Sequence, residues 1–221
     1  MADKLLQNRS LVPLLFLLLN INFCYSQKEE LKLAKEGDGI QVYKEKKAQD
    51  RLDRIIAQTL IPSNYMDVMC LIKNYKNHHK WVYANYGAAI IDSIDTKHWI
   101  YYGMSETPWP FQDRDVVTEV ELMVIPEENS VFIHSVANAA LKPASPEMVR
   151  VVLLDSKWKL TKISQDSTLV ELDLIMDAGG GVPKWLIRLF SANGPFNTFK
   201  NMKEELKLPE NSHCTCGYPE L

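Results

Sequence analysis

Residues 108–117, Pro-Trp-Pro-Phe-Gln-Asp-Arg-Asp-Val-Val, carry the strongest structural signal in the chain. The prolines on either side of Trp109 remove two backbone N–H donors, so the chain must bend or lie at a sheet edge there. An alternating apolar segment follows directly. The stretch therefore predicts the point at which a loop turns into a long strand.

The triplet Asp113, Arg114 and Asp115 has two interpretations. Two neighbouring carboxylates could act as a general acid and base. Alternation along a strand, however, places Asp113 and Asp115 on one face and Arg114 on the other. A nearby guanidinium also keeps carboxylates ionised, which is the wrong state for an acid. We therefore predict a structural role, in which Arg114 pairs with another segment of the chain.

The strand after the triplet has one apolar face and one mixed face. The apolar face consists of Val116, Thr118, Val120, Leu122 and Val124, and the mixed face of Asp115, Val117, Glu119, Glu121 and Met123. We expect the apolar face to be buried, with Thr118 as its polar member.

The remaining pattern predicts an α+β fold with about eight mostly antiparallel strands and a long C-terminal helix. A short polar helix is expected first, and two short helices follow the second strand, with Ser63 as a capping residue before Asn64. The expected helices cover 27–35, a segment from 64, 75–81 and 183–207, and the expected strands cover 40–46, 52–61, 88–94, 99–104, 116–125, 131–137, 149–160 and 169–176.

The last helix carries an apolar stripe that suits a cover over the concave face of a curved sheet. The stripe consists of Trp185, Leu189, Phe196, Phe199, Met202 and Leu206. The pattern leaves open whether the space between helix and sheet is filled or hollow.

The first 26 residues are typical of a secretory signal peptide. Lys4 and Arg9 precede an apolar run over residues 11–19, and small residues suit a cut after Ser26. The run is shorter than the roughly 20 residues that span a bilayer. We expect a secreted or periplasmic protein with one domain over residues 27–207 and a tail over 208–221. The alternative is a segment kept as an N-terminal anchor.

Composition and motifs exclude several classes of function. The net charge is −3, and no basic stripe suggests nucleic-acid binding. Cys70 lies in an apolar helical pattern and is expected to be a small buried hydrophobe. Cys214 and Cys216 adjoin His213 but have no second ligand cluster, so we predict oxidisable thiols in a tail rather than a metal site. No cofactor or catalytic motif is recognised.

Four segments resemble the START domain, the lipid-transfer branch of the Bet v 1-like (SRPBCC) helix-grip proteins. Residues 37–43 (GDGIQVY) resemble its DGI-x-VY opening, and residues 78–81 (HHKW) resemble the tryptophan after its paired helices. Residues 109–117 resemble its RDFV motif, and residues 177–186 (DAGGGVPKWL) resemble its D-x-x-G-x-IPxWL junction.

The resemblance implies a curved sheet that wraps the last helix around a hydrophobic cavity. It implies that the protein binds, and could transfer, a lipid or other apolar ligand, with transient membrane contact and without catalysis. Two alternatives stay open: a cyclase-like or hydrolase-like enzyme that acts in the same cavity, and an interaction module with a filled core.

The candidate residues fall into two groups. Expected cavity contacts are Trp99, Tyr101, Thr118, Val120, Leu122, Arg150, Val152, Trp185, Leu189, Phe196 and Phe199. Expected structural residues are Trp81, Trp109, Asp113, Arg114, Asp115, Asp177, Gly181 and Pro183. Some sterol-binding relatives place an arginine where this chain has Val120, which suggests a more apolar cavity or a polar anchor placed elsewhere.

Overall fold

The long alternating segments of the chain pair into one curved, open antiparallel sheet. The computed structural model describes residues 31–45 and 52–212, and within them the sheet has ten strands. The strands are β1 (Leu31–Gly37), β2 (Ile40–Glu45), β3 (Arg54–Ile61), β4 (Asn85–Ser93), β5 (His98–Ser105), β6 (Arg114–Ile125), β7 (Ser130–Ala137), β8 (Val149–Val151), β9 (Leu153–Ser164) and β10 (Ser167–Asp177).

The strand order is β1-β2-β3-β10-β9-β7-β6-β5-β4, and every neighbouring pair on this path is antiparallel. The short β8 adds to β6 in parallel. Because β3 and β4 are far apart in the sheet, the segment that joins them must cross between distant strands. The helices α1 (Tyr65–Lys73) and α2 (His78–Trp81) lie in this crossing, and α3 (Lys184–Glu205) follows the last strand.

The core lies between the sheet and these helices. Each element contributes its apolar face: Ile40 and Val42 from β2, Val68 and Met69 from α1, and Phe199 from α3 are all fully buried. This core holds the second half of α3 against the sheet through Phe196, Phe199 and Met202 of the predicted apolar stripe. No helix in the described residues is long and apolar enough to cross a bilayer.

The first element differs from its prediction. In residues 31–35, the described part of the segment, the chain forms strand β1 instead of a helix. Leu31 and Leu33 alternate with lysines, a period of two that suits a strand. Asp38 and Gly39 have φ values of 54° and 70° and turn β1 back onto β2. The hairpin therefore overrides the helix propensity of a polar segment.

Three local expectations are also corrected. Asn64, rather than Ser63, caps α1, because its side-chain oxygen accepts from the Asp67 N–H at 2.9 Å. The predicted strand over 149–160 is divided into β8 and β9. Cys70 is half-buried and disulfide-bonded, so it is not merely a small hydrophobe. The other three cysteines, with the predicted signal segment and the end of the tail, lie outside the described residues.

Candidate functional site

The second half of α3 packs onto the concave face of the sheet. Phe199 and Met202 are fully buried and Phe196 is nearly so. The Phe199 ring lies 5.6 Å from the ring of Trp158 on β9. The Nζ atom of Lys35, on β1, lies 4.2 Å from the centre of the Phe196 ring. The predicted cavity residues Phe196 and Phe199 therefore face the sheet.

The first turns of α3 are placed differently. Trp185 is 60 % exposed and Ile187 is 41 % exposed, so the predicted contact of Trp185 with the interior is not made in this conformation. The Phe190 ring lies 5.8 Å from that of Tyr83, just before β4. The side chain of Leu189 lies outside what the structure describes. The beginning of α3 is thus the part of the helix with exposed apolar surface.

A row of aromatic rings leads inward from α3. Trp158 packs edge-on against Trp81 at 6.2 Å between ring centres, and Trp81 packs against His78 at 5.0 Å. Tyr75 lies 5.2 Å from His78 and 6.2 Å from Trp99 on β5. The crossing segment, which is the part of the chain between β3 and β4, therefore packs between the last helix and β5.

Strands β5 and β6 bring together five of the predicted cavity residues. Tyr101 pairs with Thr118 across the strands, and Trp99 pairs with Val120. Trp99, Thr118, Val120 and Leu122 are all nearly fully buried, and Tyr101 packs against the same core. The alternation along β6 thus places this apolar face inward, as the sequence predicts.

His78 is held between a backbone carbonyl and a tyrosine. Its Nε2 lies 2.7 Å from the Ile72 carbonyl oxygen, which can only accept, so Nε2 carries the proton. Burial lowers the His78 pKa to about 4, so the ring is neutral at pH 7 and Nδ1 is an acceptor. The Tyr101 hydroxyl, 3.2 Å from Nδ1, is then the donor. Sequence analysis singled out Trp81 in this segment but not His78.

Within the described part of the chain, several buried polar atoms near these rings have no hydrogen-bond partner. They are the Tyr75 hydroxyl, the Trp81 and Trp99 indole nitrogens, the Asn85 side-chain oxygen and the Thr118 hydroxyl, with the Ser130 hydroxyl farther along the sheet. Burial raises the pKa of Tyr75, and the nearby Trp99 indole offsets part of the rise, but the two groups do not have the geometry of a hydrogen bond. Tyr75 and Asn85 were not predicted, because their position depends on the crossing of the chain.

Arg150 does not point into the interior. Its Nε and Nη2 donate to the two carboxylate oxygens of Asp115 at 2.9 and 2.8 Å, on the face of β6 opposite Thr118. Arg150 also donates to the carbonyls of Ala139, Lys142 and Pro143 at 2.8–3.2 Å. The expected cavity contact of Arg150 is therefore wrong.

Val152 is not a cavity residue either, since it is 66 % exposed. It stands in the break between β8 and β9. The prediction assumed one strand with continuous alternation from Arg150 to Trp158. The break shifts the alternation, so side chains on its two sides no longer share a face.

The Asp-Arg-Asp triplet has three separate sets of partners. Asp113 accepts from the Thr107 N–H at 2.9 Å, and Asp115 binds Arg150. Arg114 donates to the Gln112 carbonyl and, at 3.5 Å, to the carbonyls of residues 178 and 179 before α3. Burial lowers the Arg114 pKa from its ordinary value. Two carboxylates with separate partners do not form an acid–base pair.

The junction between β10 and α3 is a turn of three glycines. Gly179, Gly180 and Gly181 have φ values of 64°, 64° and 65°, a region that favours glycine. A Cβ atom on Gly180 would lie 3.0 Å from Val149 and 3.3 Å from Arg114. The junction is therefore packed against β8 and Arg114.

The flanking residues of the junction act locally. Asp177 accepts from the Gly179 N–H at 2.9 Å, which stabilises the turn. Pro183 precedes the first residue of α3 as its N-cap and has an extended backbone. Trp109, in the loop between β5 and β6, is 92 % exposed, and Trp81 is buried.

The described residues contain no group of three or more His, Cys, Asp or Glu side chains placed to hold a metal ion. His134, on β7, is partly exposed, and its Nε2 lies 2.8 Å from a carboxylate oxygen of Asp155. The candidate site is therefore a buried, largely aromatic face with a few neutral polar groups.

Comparison with known proteins agrees with this architecture. The START domain family model matches residues 28–212. An uncharacterized protein of Pseudomonas aeruginosa is 28% identical over 175 residues, which are 79% of this chain and 86% of that protein.

Two solved structures have the same fold. A STAR-related lipid transfer protein from Xanthomonas axonopodis matches with a TM-score of 0.74 at 20% identity, over 80% of this chain and 99% of that chain. Human StAR-related lipid transfer protein 5 matches with a TM-score of 0.73 at 17% identity, over 82% of this chain and 88% of that chain. At these identities the likeness establishes the fold. Because the family model spans most of the sequence, the chain belongs to the START domain family.

Proposed function

We propose that this protein binds a lipid or another hydrophobic ligand between its curved sheet and α3, and transfers it between membranes or proteins. The observation that carries the proposal is the buried apolar and aromatic face that β5, β6 and α3 form together, in a chain that belongs to the START domain family. Each Å² of apolar ligand surface removed from water there would contribute about 25 cal/mol to binding.

Exchange of the ligand requires the interior to open. The first turns of α3 are the natural moving part, because Trp185 and Ile187 are already exposed and the preceding turn consists of glycines. Movement of α3 about this turn would uncover the face on which Phe199 packs. Hinged lids of this kind commonly control access to buried sites.

Contact with a membrane is part of the proposal. Trp109 and Trp185 are large exposed aromatic residues in two segments that meet at Arg114. Arg114 donates to the Gln112 carbonyl on one side and to the carbonyls before α3 on the other. Tryptophan is enriched at membrane–water interfaces, so a surface with both residues would suit transient docking beside the opening.

We also propose export to an oxidising compartment. The signal-like segment over residues 1–26 motivates this proposal, and the disulfide of Cys70 supports it, because structural disulfides are rare in reducing cytosol. Mass spectrometry of the N-terminus of the native protein tests it. A chain that begins at Gln27 is expected, and an intact Met1 would contradict it.

The binding proposal is tested on protein purified from its source. Native mass spectrometry should detect a co-purified lipid, and delipidated protein should bind the neutral apolar dye Nile red. A protein that is always empty and does not bind the dye would favour an interaction module with a filled core. Chemical conversion of the bound compound during incubation would instead favour an enzyme.

A further inference from the structure

We propose that the side chains of Tyr75, His78, Trp99, Tyr101 and Thr118, here named the polar cluster, bind the uncharged hydroxyl end of a lipid alcohol. The inference rests on the proposed function and specifies its ligand class. The cluster lies inside the protein, where β5 and β6 meet the crossing segment, and its members are in contact. The Tyr75 ring lies 5.6 Å from that of Tyr101, and Tyr101 stands opposite Thr118.

Three polar atoms of the cluster are buried without a hydrogen bond to any described residue. They are the Tyr75 hydroxyl, the Trp99 indole nitrogen and the Thr118 hydroxyl, each in a side chain that is at least nine-tenths buried. Folded proteins pair almost all of their buried polar groups, because an unpaired one loses its bonds to water. Three such atoms in adjoining side chains therefore indicate a place for a further polar group.

The donors and acceptors that remain in the polar cluster match an alcohol. His78 is occupied, since it donates to the Ile72 carbonyl and accepts from Tyr101. The Tyr101 oxygen has thereby used its proton and can only accept. Trp99 can only donate, whereas Tyr75 and Thr118 can do either. An alcohol, which donates one bond and accepts up to two, matches this mixed set.

The polar cluster is also uncharged. At neutral pH its members carry no charge, since burial lowers the pKa of His78 and raises those of Tyr75 and Tyr101. A cation, Lys73, lies over the Trp99 ring at 4.6 Å and donates to a carbonyl in the turn before β5. A carboxylate or phosphate inside the cluster would lose its hydration, and no member of the polar cluster carries a positive charge that would compensate for this loss. The cluster therefore favours a neutral ligand over an anionic one.

The test compares three ligands with the same ten-carbon chain: decanol, decanoate and decane. Each competes with Nile red for the delipidated full-length protein near neutral pH. Decanol should bind at least about tenfold more tightly than decanoate, because only the latter must bury a charge. It should also bind more tightly than decane by the value of its hydrogen bonds, about threefold to tenfold for each.

Two variants locate the effect. Tyr75→Phe and Thr118→Val should each reduce the ratio of decanol affinity to decane affinity by about threefold to tenfold. Tyr86→Phe is the matched control, since the Tyr86 hydroxyl lies outside the cluster, near Met148, and it should leave the ratio unchanged. Tryptophan fluorescence confirms that each variant is folded.

The outcomes separate the two proposals. If Nile red and all three compounds fail to bind, both the ligand-binding function and this inference are wrong. If they bind but decanol has no advantage over decane or decanoate, only the inference is overturned. The same holds if both cluster variants keep the ratio of the native protein, since the unpaired atoms then have water as their partner.

Discussion

Replacement of Arg150 by methionine should lower the free energy of unfolding by about 3–5 kcal/mol, the usual cost of leaving one member of a buried ion pair alone. The side chains of Arg150 and Asp115 are only 7 % and 1 % exposed, and they share two hydrogen bonds of 2.9 and 2.8 Å. Without Arg150, the Tyr102 hydroxyl still donates to the Asp115 carboxylate, at 3.2 Å. Methionine has a similar volume to arginine, so the decrease in unfolding free energy reflects the lost charge and hydrogen bonds rather than a cavity.

The reverse replacement should cost less. In Asp115→Asn, Arg150 keeps three backbone carbonyls as acceptors, and the new amide can still accept from Tyr102. A loss of about 1.5–3 kcal/mol is expected, the range for hydrogen bonds to charged groups. The double variant should be more stable than the sum of the two losses predicts, because its second change removes an already unpaired group.

Urea unfolding followed by tryptophan fluorescence measures all four proteins of this cycle, since the chain has 5 tryptophans. Additive losses, or a loss below about 1 kcal/mol for Arg150→Met, would refute the assignment of a buried ion pair. A ligand competition on the folded variants adds a second check. Because Arg150 lies on the face away from the interior, the variants should bind ligand with the native affinity once the fraction of folded protein is taken into account.

The same pair predicts the response to acid. Hydrogen bonds from Arg150 lower the Asp115 pKa below its ordinary value, whereas burial opposes this shift. A group whose pKa is lower in the folded state stabilises above its unfolded pKa, near 4, and this stabilisation is lost as the pH falls through the folded pKa. In Arg150→Met, burial without the guanidinium raises the Asp115 pKa, so the difference in unfolding free energy from the native protein should begin to narrow above about pH 4 and should continue to narrow as the pH falls through the native folded pKa. A difference that is constant with pH would contradict the argument.

Four further replacements probe the interior and the junction. Thr118→Val should raise the free energy of unfolding by about 0–2 kcal/mol, since its hydroxyl has no partner among the described residues. Thr168→Val should lower the free energy of unfolding by about 1–2 kcal/mol, since its hydroxyl donates to a carbonyl at 2.9 Å. Equal losses of the two variants in urea unfolding would contradict this difference. Arg114→Met should speed amide hydrogen exchange in the first turns of α3, because the preceding carbonyls lose their donor, and unchanged exchange would count against the junction contact. Gly103→Ala should weaken Nile red binding, because the new Cβ would lie 2.8 Å from the Tyr101 hydroxyl, and an unaltered titration curve would exclude that effect.

The sequence predicted most where one local pattern was sufficient. The alternation in β6 identified Thr118, Val120 and Leu122 as buried, because the period of a strand decides the face of every side chain. The glycines before α3 are likewise a local feature, since all three adopt the positive φ that favours glycine. The fold class followed from such patterns and from four short motifs in the right order.

Prediction failed where pairing between distant segments decided the outcome. Arg150 was assigned to the interior by alternation across Val152, where the strand is in fact broken by the pairing of β8 with β6. Residues 31–35 became a strand because β2 offers an edge to pair with. Tyr75 and His78 entered the candidate site only through the crossing of the chain beneath β5. No local pattern contains these contacts.

The two faces of β6 separate charge from neutral polarity, and this separation bears on function. On the outer face, Asp115 is paired with Arg150, and Glu119 accepts from Asn138 at 2.6 Å. On the inner face, Thr118 and its neighbour Tyr101 are uncharged. A charge on the inner face would be costly, because burial removes its hydration unless a counter-ion faces it. Neutral hydroxyl and indole groups cost less to bury and still bind a polar end when a ligand arrives. The inner face of β6 can thus remain stable without a counter-ion, and if the proposed ligand binds there, hydrogen bonds rather than charge would select it.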